Sequence, residues 1–172
     1  MKVIFSHGKE SGPWGSKIKK LANLAKKYAL NVESIDYTET MDPDLRVEKL
    51  IKVLRNEQDE FLLVGSSMGG YVSLVASEQI QAQGLFLLAP ALYIPDYKKQ
   101  TYQSTVRTEI VHGWSDDIIP FENSVKYAKQ ANCSLHLISG DHRLYSSLDV
   151  VEKLFEQFLL SCLNKETVVL AP

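Results

Sequence analysis

A chain of 172 residues, 45 % hydrophobic and 23 % charged, has the size and composition of one ordinary globular domain with a single sizeable core. A net charge of −2 argues against a nucleic-acid binder, and the densest basic stretch (Lys17, Lys19, Lys20, Lys26, Lys27) falls on a predicted helix, where it reads as a solvated face. The two cysteines, Cys133 and Cys162, lack metal or redox spacing, the N-terminus lacks the make-up of a signal peptide, and no segment has the length of a membrane span, so a cytoplasmic protein is expected.

Strand and helix signals alternate along the chain. Residues 3–6 form a short β-rich run leading into His7-Gly8. Residues 16–30 carry Ile18, Leu21, Ala22, Ala25, Tyr28 and Ala29 at the spacing of one helix face. A second strand is expected over 32–37. Pro43 marks a helix start, and Val47, Leu50, Ile51 and Leu54 continue its apolar face. The third strand, 60–64, runs into Ser67 and a helix reaching about Ile80. Residues 84–88 and 108–111 give the fourth and fifth strands, 121–131 a helix, and 134–138 the sixth strand. Val151, Leu154, Phe155, Phe158, Leu159 and Cys162 outline a final amphipathic helix. The tail from Asn164 has no assignment. The segment from Ala91 to Arg107, with Tyr93, Tyr97 and Tyr102, breaks the rhythm, and is either a small lid or a surface loop with an irregular helix.

Apolar, unalternating strands interleaved with helices imply an α/β fold, a doubly wound, mainly parallel six-stranded sheet covered on both faces. Ligands of such sheets bind beyond the carboxyl ends of the strands. His7, Ser67, Asp116 and His142 all follow strands, so independent motifs converge on one edge.

The central motif is Gly65-Ser66-Ser67-Met68-Gly69, a G-x-S-x-G pattern between a strand and a helix. Such a turn exposes the hydroxyl of Ser67 and is too tight for a Cβ at either glycine. A serine hydroxyl needs a base within hydrogen-bond reach. Of the four histidines, His142 in Gly140-Asp141-His142 lies in a loop after the last strand and is the natural base. His136 lies inside a strand, and His7 and His112 precede glycines at strand ends, where they shape loops. The carboxylate that orients the base is Asp116 or its neighbour Asp117, with Asp141 more suited to ordering its own loop. The amide of Met68, at a helix N-terminus, and that of Lys9, in the Gly-rich loop after the first strand, are the expected oxyanion donors. Residues 1–172 carry no phosphate-loop, dinucleotide or zinc motif, and this chemistry requires neither cofactor nor metal.

Taken together, Ser6-His7-Gly8, Gly65-Ser66-Ser67-Met68-Gly69, His112-Gly113-x-x-Asp116-x-x-x-Pro120 and Gly140-Asp141-His142 resemble the α/β-hydrolase superfamily in order and register, over nearly the whole chain to about Leu163. The chain is most similar to the small bacterial esterase-like group known as YqiA/UPF0227-like. The resemblance selects Asp116 over Asp117, four residues after the strand-end histidine and four before Pro120. It implies a minimal core that lacks the family's first two strands and any large cap. The expected function is a serine hydrolase acting on carboxylic esters or thioesters, with a small-molecule acyl substrate and no nucleic-acid or membrane partner, as a monomer or weak homodimer. An amidase, peptidase or acyltransferase on the same three residues is the alternative, as is a binding protein that keeps the fold without the activity.

Overall fold

The computed structural model describes residues 1–103 and 106–164. Residues 165–172 of the unassigned tail, and residues 104 and 105 of the irregular segment, lie outside the described residues. Six strands form one sheet: β1 (Lys2–Ser6), β2 (Asn31–Ile35), β3 (Phe61–Ser66), β4 (Gly84–Leu88), β5 (Thr108–Gly113) and β6 (Ser134–Ile138). Their order is β2-β1-β3-β4-β5-β6, and every neighbouring pair is parallel.

The central strands β3 and β4 are almost wholly buried and read as unbroken apolar runs, because helices cover both of their faces. Side chains alternate between those faces. Val3, Phe5, Leu62, Val64, Phe86 and Leu88 pack under α1 (Ser16–Lys27) and α5 (Leu148–Leu163). Ile4, Leu63, Leu85, Leu87 and Ile110 pack under α2 (Pro43–Arg55), α3 (Met68–Ser77) and α4 (Phe121–Ala131). The start of α2 follows from its sequence. Asp42 caps it by accepting from the amides of Asp44 (2.8 Å) and Leu45 (3.1 Å), and Pro43 supplies a preset first residue.

Strands and helices alternate, so every strand ends, and every following helix begins, at the same edge of the sheet. Between β4 and β5 the chain forms turns and bends, with no helix among its described residues. A ladder of edge-on tyrosines holds it: Tyr97 against Tyr71 at 4.7 Å, and Tyr93 against Tyr102 at 5.1 Å. Tyr102 is buried; its hydroxyl donates to the Lys99 carbonyl (2.9 Å) and accepts from the Tyr93 amide (3.2 Å). Of the two alternatives, the irregular helix does not form among the described residues, where these side-chain contacts rather than a helical ladder hold the segment.

Candidate active site

Ser67 sits between β3 and α3 with φ 56° and ψ −121°, a conformation that costs a non-glycine residue about 1–3 kcal/mol. Backbone bonds fix it there. Its amide donates to the Leu88 carbonyl (2.9 Å), and its carbonyl accepts from Gly70 (2.9 Å) and Ala91 (3.0 Å). Both motif glycines are sterically required. A Cβ on Gly65 would lie 2.3 Å from the Gly69 carbonyl oxygen, and one on Gly69 would lie 2.0 Å from that of Ser6.

His142 approaches from the loop after β6. Asp141 holds that loop by accepting from the amides of Arg143 (3.0 Å) and Leu144 (2.9 Å). The Nδ1–H of His142 donates to Asp116 Oδ2 at 2.7 Å, which leaves Nε2 free to accept from the Ser67 hydroxyl at 2.9 Å. Asp116 comes from the loop after β5, and its side chain is fully buried. Asp117, one residue on, is exposed, so the fold brings Asp116 and not Asp117 to His142.

The four acceptor positions of Asp116 are all used. Oδ1 accepts from the amides of Ile118 (2.9 Å) and Ile119 (2.8 Å); Oδ2 accepts from His142 and from His112 Nε2 (2.9 Å). Burial is the largest single influence on its pKa and pushes upward. The amides of Ile119 and Ile118 and the His142 imidazole together outweigh it, and hold the carboxyl below its ordinary range.

The sequence marks His112 only as a loop-shaping residue, yet it is a direct partner of Asp116. Its Nδ1 accepts from Ser124 Oγ at 2.7 Å, so Nε2 carries the proton that Asp116 receives. Burial lowers its pKa against the pull of Asp116, so it stays neutral. The cue was its place four residues before Asp116 at a strand end. His136 lies away from these groups, with Nε2 3.5 Å from Glu109.

The expected oxyanion donors lie beside this relay. Met68 is the first residue of α3, where amides have no intrahelical acceptor. Lys9 belongs to the loop after β1. Both residues line a cavity of about 670 Å3 together with Ser67, His142, Tyr97 and Ile118. A depression of about 720 Å3 between α2, α3 and residues 98–101 contains none of the candidate residues. Trp14 and Trp114 are 41 % and 54 % exposed, and Trp114 packs edge-on against Phe121 at 5.0 Å. Among the described residues no group of three or more His, Cys, Asp or Glu side chains could hold a metal ion.

Two charged residues occupy unexpected places. Lys17 does not belong to a solvated face: it is 9 % exposed, lines the cavity and donates to the Arg143 carbonyl at 3.2 Å. Burial lowers its pKa to about 8, with Asp141 and Asp116 opposing the fall. Arg46, on α2, is fully buried and reaches the backbone of the loop after β1.

A six-stranded parallel sheet in this order, with a serine at a left-handed strand–helix turn and a histidine and an acid on later strand ends, is the α/β-hydrolase fold. Within that class the chain belongs to the family described as "Uncharacterised protein family (UPF0227)", whose model matches residues 2–100. Among solved structures, a protein of Xanthomonas campestris pv. campestris described as a "putative hydrolase of the alpha/beta superfamily" is 28 % identical. It superposes with a TM-score of 0.87, over 93 % of this chain and 98 % of that one. Est1E from Butyrivibrio proteoclasticus (18 % identity, TM-score 0.78, 95 % and 88 % covered) and the ydeN gene product of B. subtilis (18 %, 0.79, 95 % and 99 %) share the fold. No curated protein matches the chain. Among the described residues no helix is long and apolar enough to cross a membrane.

Proposed function

We propose that this protein is a cytoplasmic serine hydrolase that cleaves small carboxylic esters or thioesters through an acyl-enzyme on Ser67. The observation that carries the reading is the unbroken relay Ser67 Oγ to His142 Nε2 (2.9 Å) and His142 Nδ1 to Asp116 Oδ2 (2.7 Å), on a strained serine at the cavity wall.

Ser67 Oγ attacks the substrate carbonyl carbon while its proton passes to His142 Nε2. Asp116 stabilises the resulting imidazolium through Nδ1–H. The carbonyl oxygen becomes an oxyanion, held by the amides of Met68 and Lys9. As the tetrahedral adduct collapses, the bond to the leaving oxygen or sulfur breaks, and that atom takes the proton from His142. Water then gives a proton to His142 and attacks the acyl carbon. The acid departs, and Ser67 regains its proton.

Ser67→Ala is expected to abolish hydrolysis of p-nitrophenyl esters and labelling by a fluorophosphonate probe, with the melting temperature held. Unchanged turnover in that variant would sink the assignment. A folded wild-type chain that takes no probe would favour a binding protein. A panel of aryl esters, thioesters and amides separates the esterase reading from an amidase, peptidase or acyltransferase.

A further inference from the structure

Arg46 is the largest fully buried side chain, and none of the ion pairs among the described residues includes it. Its oxygen acceptors are backbone carbonyls, and Met41 Sδ lies 3.9 Å from Nη2. Nε donates to Thr40 O (2.8 Å), Nη1 to Gly8 O (3.1 Å) and Nη2 to Lys9 O (3.1 Å), and Tyr37 presents its ring face 5.5 Å away. The Gly8 carbonyl is held a second time. The Tyr37 amide donates to His7 Nε2 (3.0 Å), so Nδ1 carries the proton and donates to Gly8 O at 2.8 Å.

The consequence follows from peptide geometry. In a planar trans peptide the C=O and N–H groups point in opposite directions. The Gly8 carbonyl faces Arg46, so the amide of Lys9, in the same peptide, faces away from it. The Lys9 carbonyl also faces Arg46, so the Glu10 amide is turned the same way. Gly8, Lys9 and Glu10 line the Ser67 cavity, whereas Arg46 does not. The loop also lies against the serine: a Cβ built on Gly8 would be 3.5 Å from Ser67 Cβ.

We propose that Arg46 is a positioning residue, whose buried guanidinium grips the Gly8 and Lys9 carbonyls so that the Lys9 and Glu10 amides present one donor face to the oxyanion. The proposal rests on Ser67 being the nucleophile. A positive charge bonded to those carbonyls also polarises the peptides and strengthens their amides as donors. Among the described residues Arg46 forms no ion pair with a carboxylate, Glu39 acting on it only through space, and a further negative charge on its side of the cavity forms when the carbonyl oxygen becomes an oxyanion. Its effect is therefore larger in the transition state than in the ground state, which is the condition for raising kcat.

The test compares wild type, Arg46→Met, Arg46→Lys and Ser67→Ala on p-nitrophenyl butyrate, with inhibition by phenylboronic acid, which forms a tetrahedral adduct on serine. Arg46→Met is expected to lose about 100-fold in kcat, the scale of a lost oxyanion donor, with KM little changed. The inhibition constant of the boronic acid rises by a similar factor. Arg46→Lys falls between, because an ammonium has no planar fork to hold two carbonyls at once. Merely structural damage would lower the folded fraction and leave the ratio of inhibition constant to KM unmoved. Should Arg46→Met fail to fold, Arg46→Lys carries the test. Wild-type kcat and inhibition constant in folded Arg46→Lys, with Ser67→Ala inactive, overturn the role of Arg46 alone. A wild-type chain that neither hydrolyses esters nor takes a fluorophosphonate overturns the Ser67 reading and this proposal with it.

Discussion

Replacing Lys17 by Met removes a buried ammonium from the wall of the Ser67 cavity without emptying the space, since both side chains are long and unbranched. Folding lowers the pKa of this lysine from 10.5 to about 8. That fall is equivalent to about 3 kcal/mol spent on keeping the buried group charged. Below the folded pKa the group is charged in both states, and the whole penalty is present. Above 10.5 it is neutral in both, and the penalty is gone. Between the two values the unfolded chain binds the proton that the folded chain has lost, so wild-type stability rises with pH by up to about 1.4 kcal/mol per unit. Lys17→Met lacks this rise. The variant also loses the bond to the Arg143 carbonyl, worth about 1 kcal/mol or somewhat more, but that loss is constant wherever the lysine stays charged. The readout is therefore the difference between the two proteins as a function of pH, which also cancels the titration of every other group. Urea unfolding followed by the fluorescence of Trp14 and Trp114, from neutral pH to beyond the free-lysine value, measures it. Lys17→Met is expected to be the more stable at neutral pH, with the advantage shrinking by about 3 kcal/mol across the range. Parallel stability curves would refute the reasoning.

Gly69→Ala puts a Cβ 2.0 Å from the Ser6 carbonyl oxygen and 2.4 Å from its carbon, both backbone atoms of β1. Helix α3 must then move away by about 1 Å, at a cost of about 3 kcal/mol, and Ser67 moves with it, for a loss of about 100-fold in kcat. A melting temperature and kcat near wild type would contradict that geometry. Asp116→Asn keeps the shape but puts an NH2 group among four donors. Two of the four then meet a donor, either the amides of Ile118 and Ile119 or Nδ1–H of His142 and Nε2–H of His112, and in the second case His142 escapes only by taking the wrong tautomer. Turnover is expected to fall by about 10,000-fold, and a loss below tenfold in steady-state hydrolysis would remove Asp116 from the relay.

The sheet was legible because its strands are short apolar runs separated by amphipathic helices, and burial on both faces leaves no other use for Phe61–Ser66 or Gly84–Leu88. Helix ends were less so. The periodicity over 16–30 continues past Lys27, but Ala29 takes φ 58° and the chain turns into β2. Strand ends pointed to Ser67, His142 and one of Asp116 and Asp117, since topology alone brings strand ends together, and only the register of the family resemblance selected Asp116. What the sequence concealed was charge in buried places. Lysine and arginine on a helix default to solvent, and nothing in composition says otherwise. The row they occupy does. Lys17, Leu21 and Ala25 are spaced by four along α1, as Arg46, Leu50 and Leu54 are along α2, and every member of both rows is buried. Each cation is the first member of an apolar stripe.

That position explains why two similar cations respond to substitution in opposite ways. Helices α1 and α2 begin at the carboxyl edge of the sheet, so the first residue of each buried stripe passes beyond the core into the loops around Ser67. A cation in the opening turns of a helix is opposed by the helix dipole, so neither Lys17 nor Arg46 is there for the sake of its helix. What offsets the cost is the number of loop carbonyls each can reach. Lys17 reaches one, which leaves two of its three donors without an acceptor among the described residues and its pKa low. Arg46 reaches three from a single planar group, and its removal would strand the Thr40 and Lys9 carbonyls and leave that of Gly8 to His7. Lys17→Met therefore gains stability where Arg46→Met loses it, although both remove a buried charge from the same edge of the same sheet.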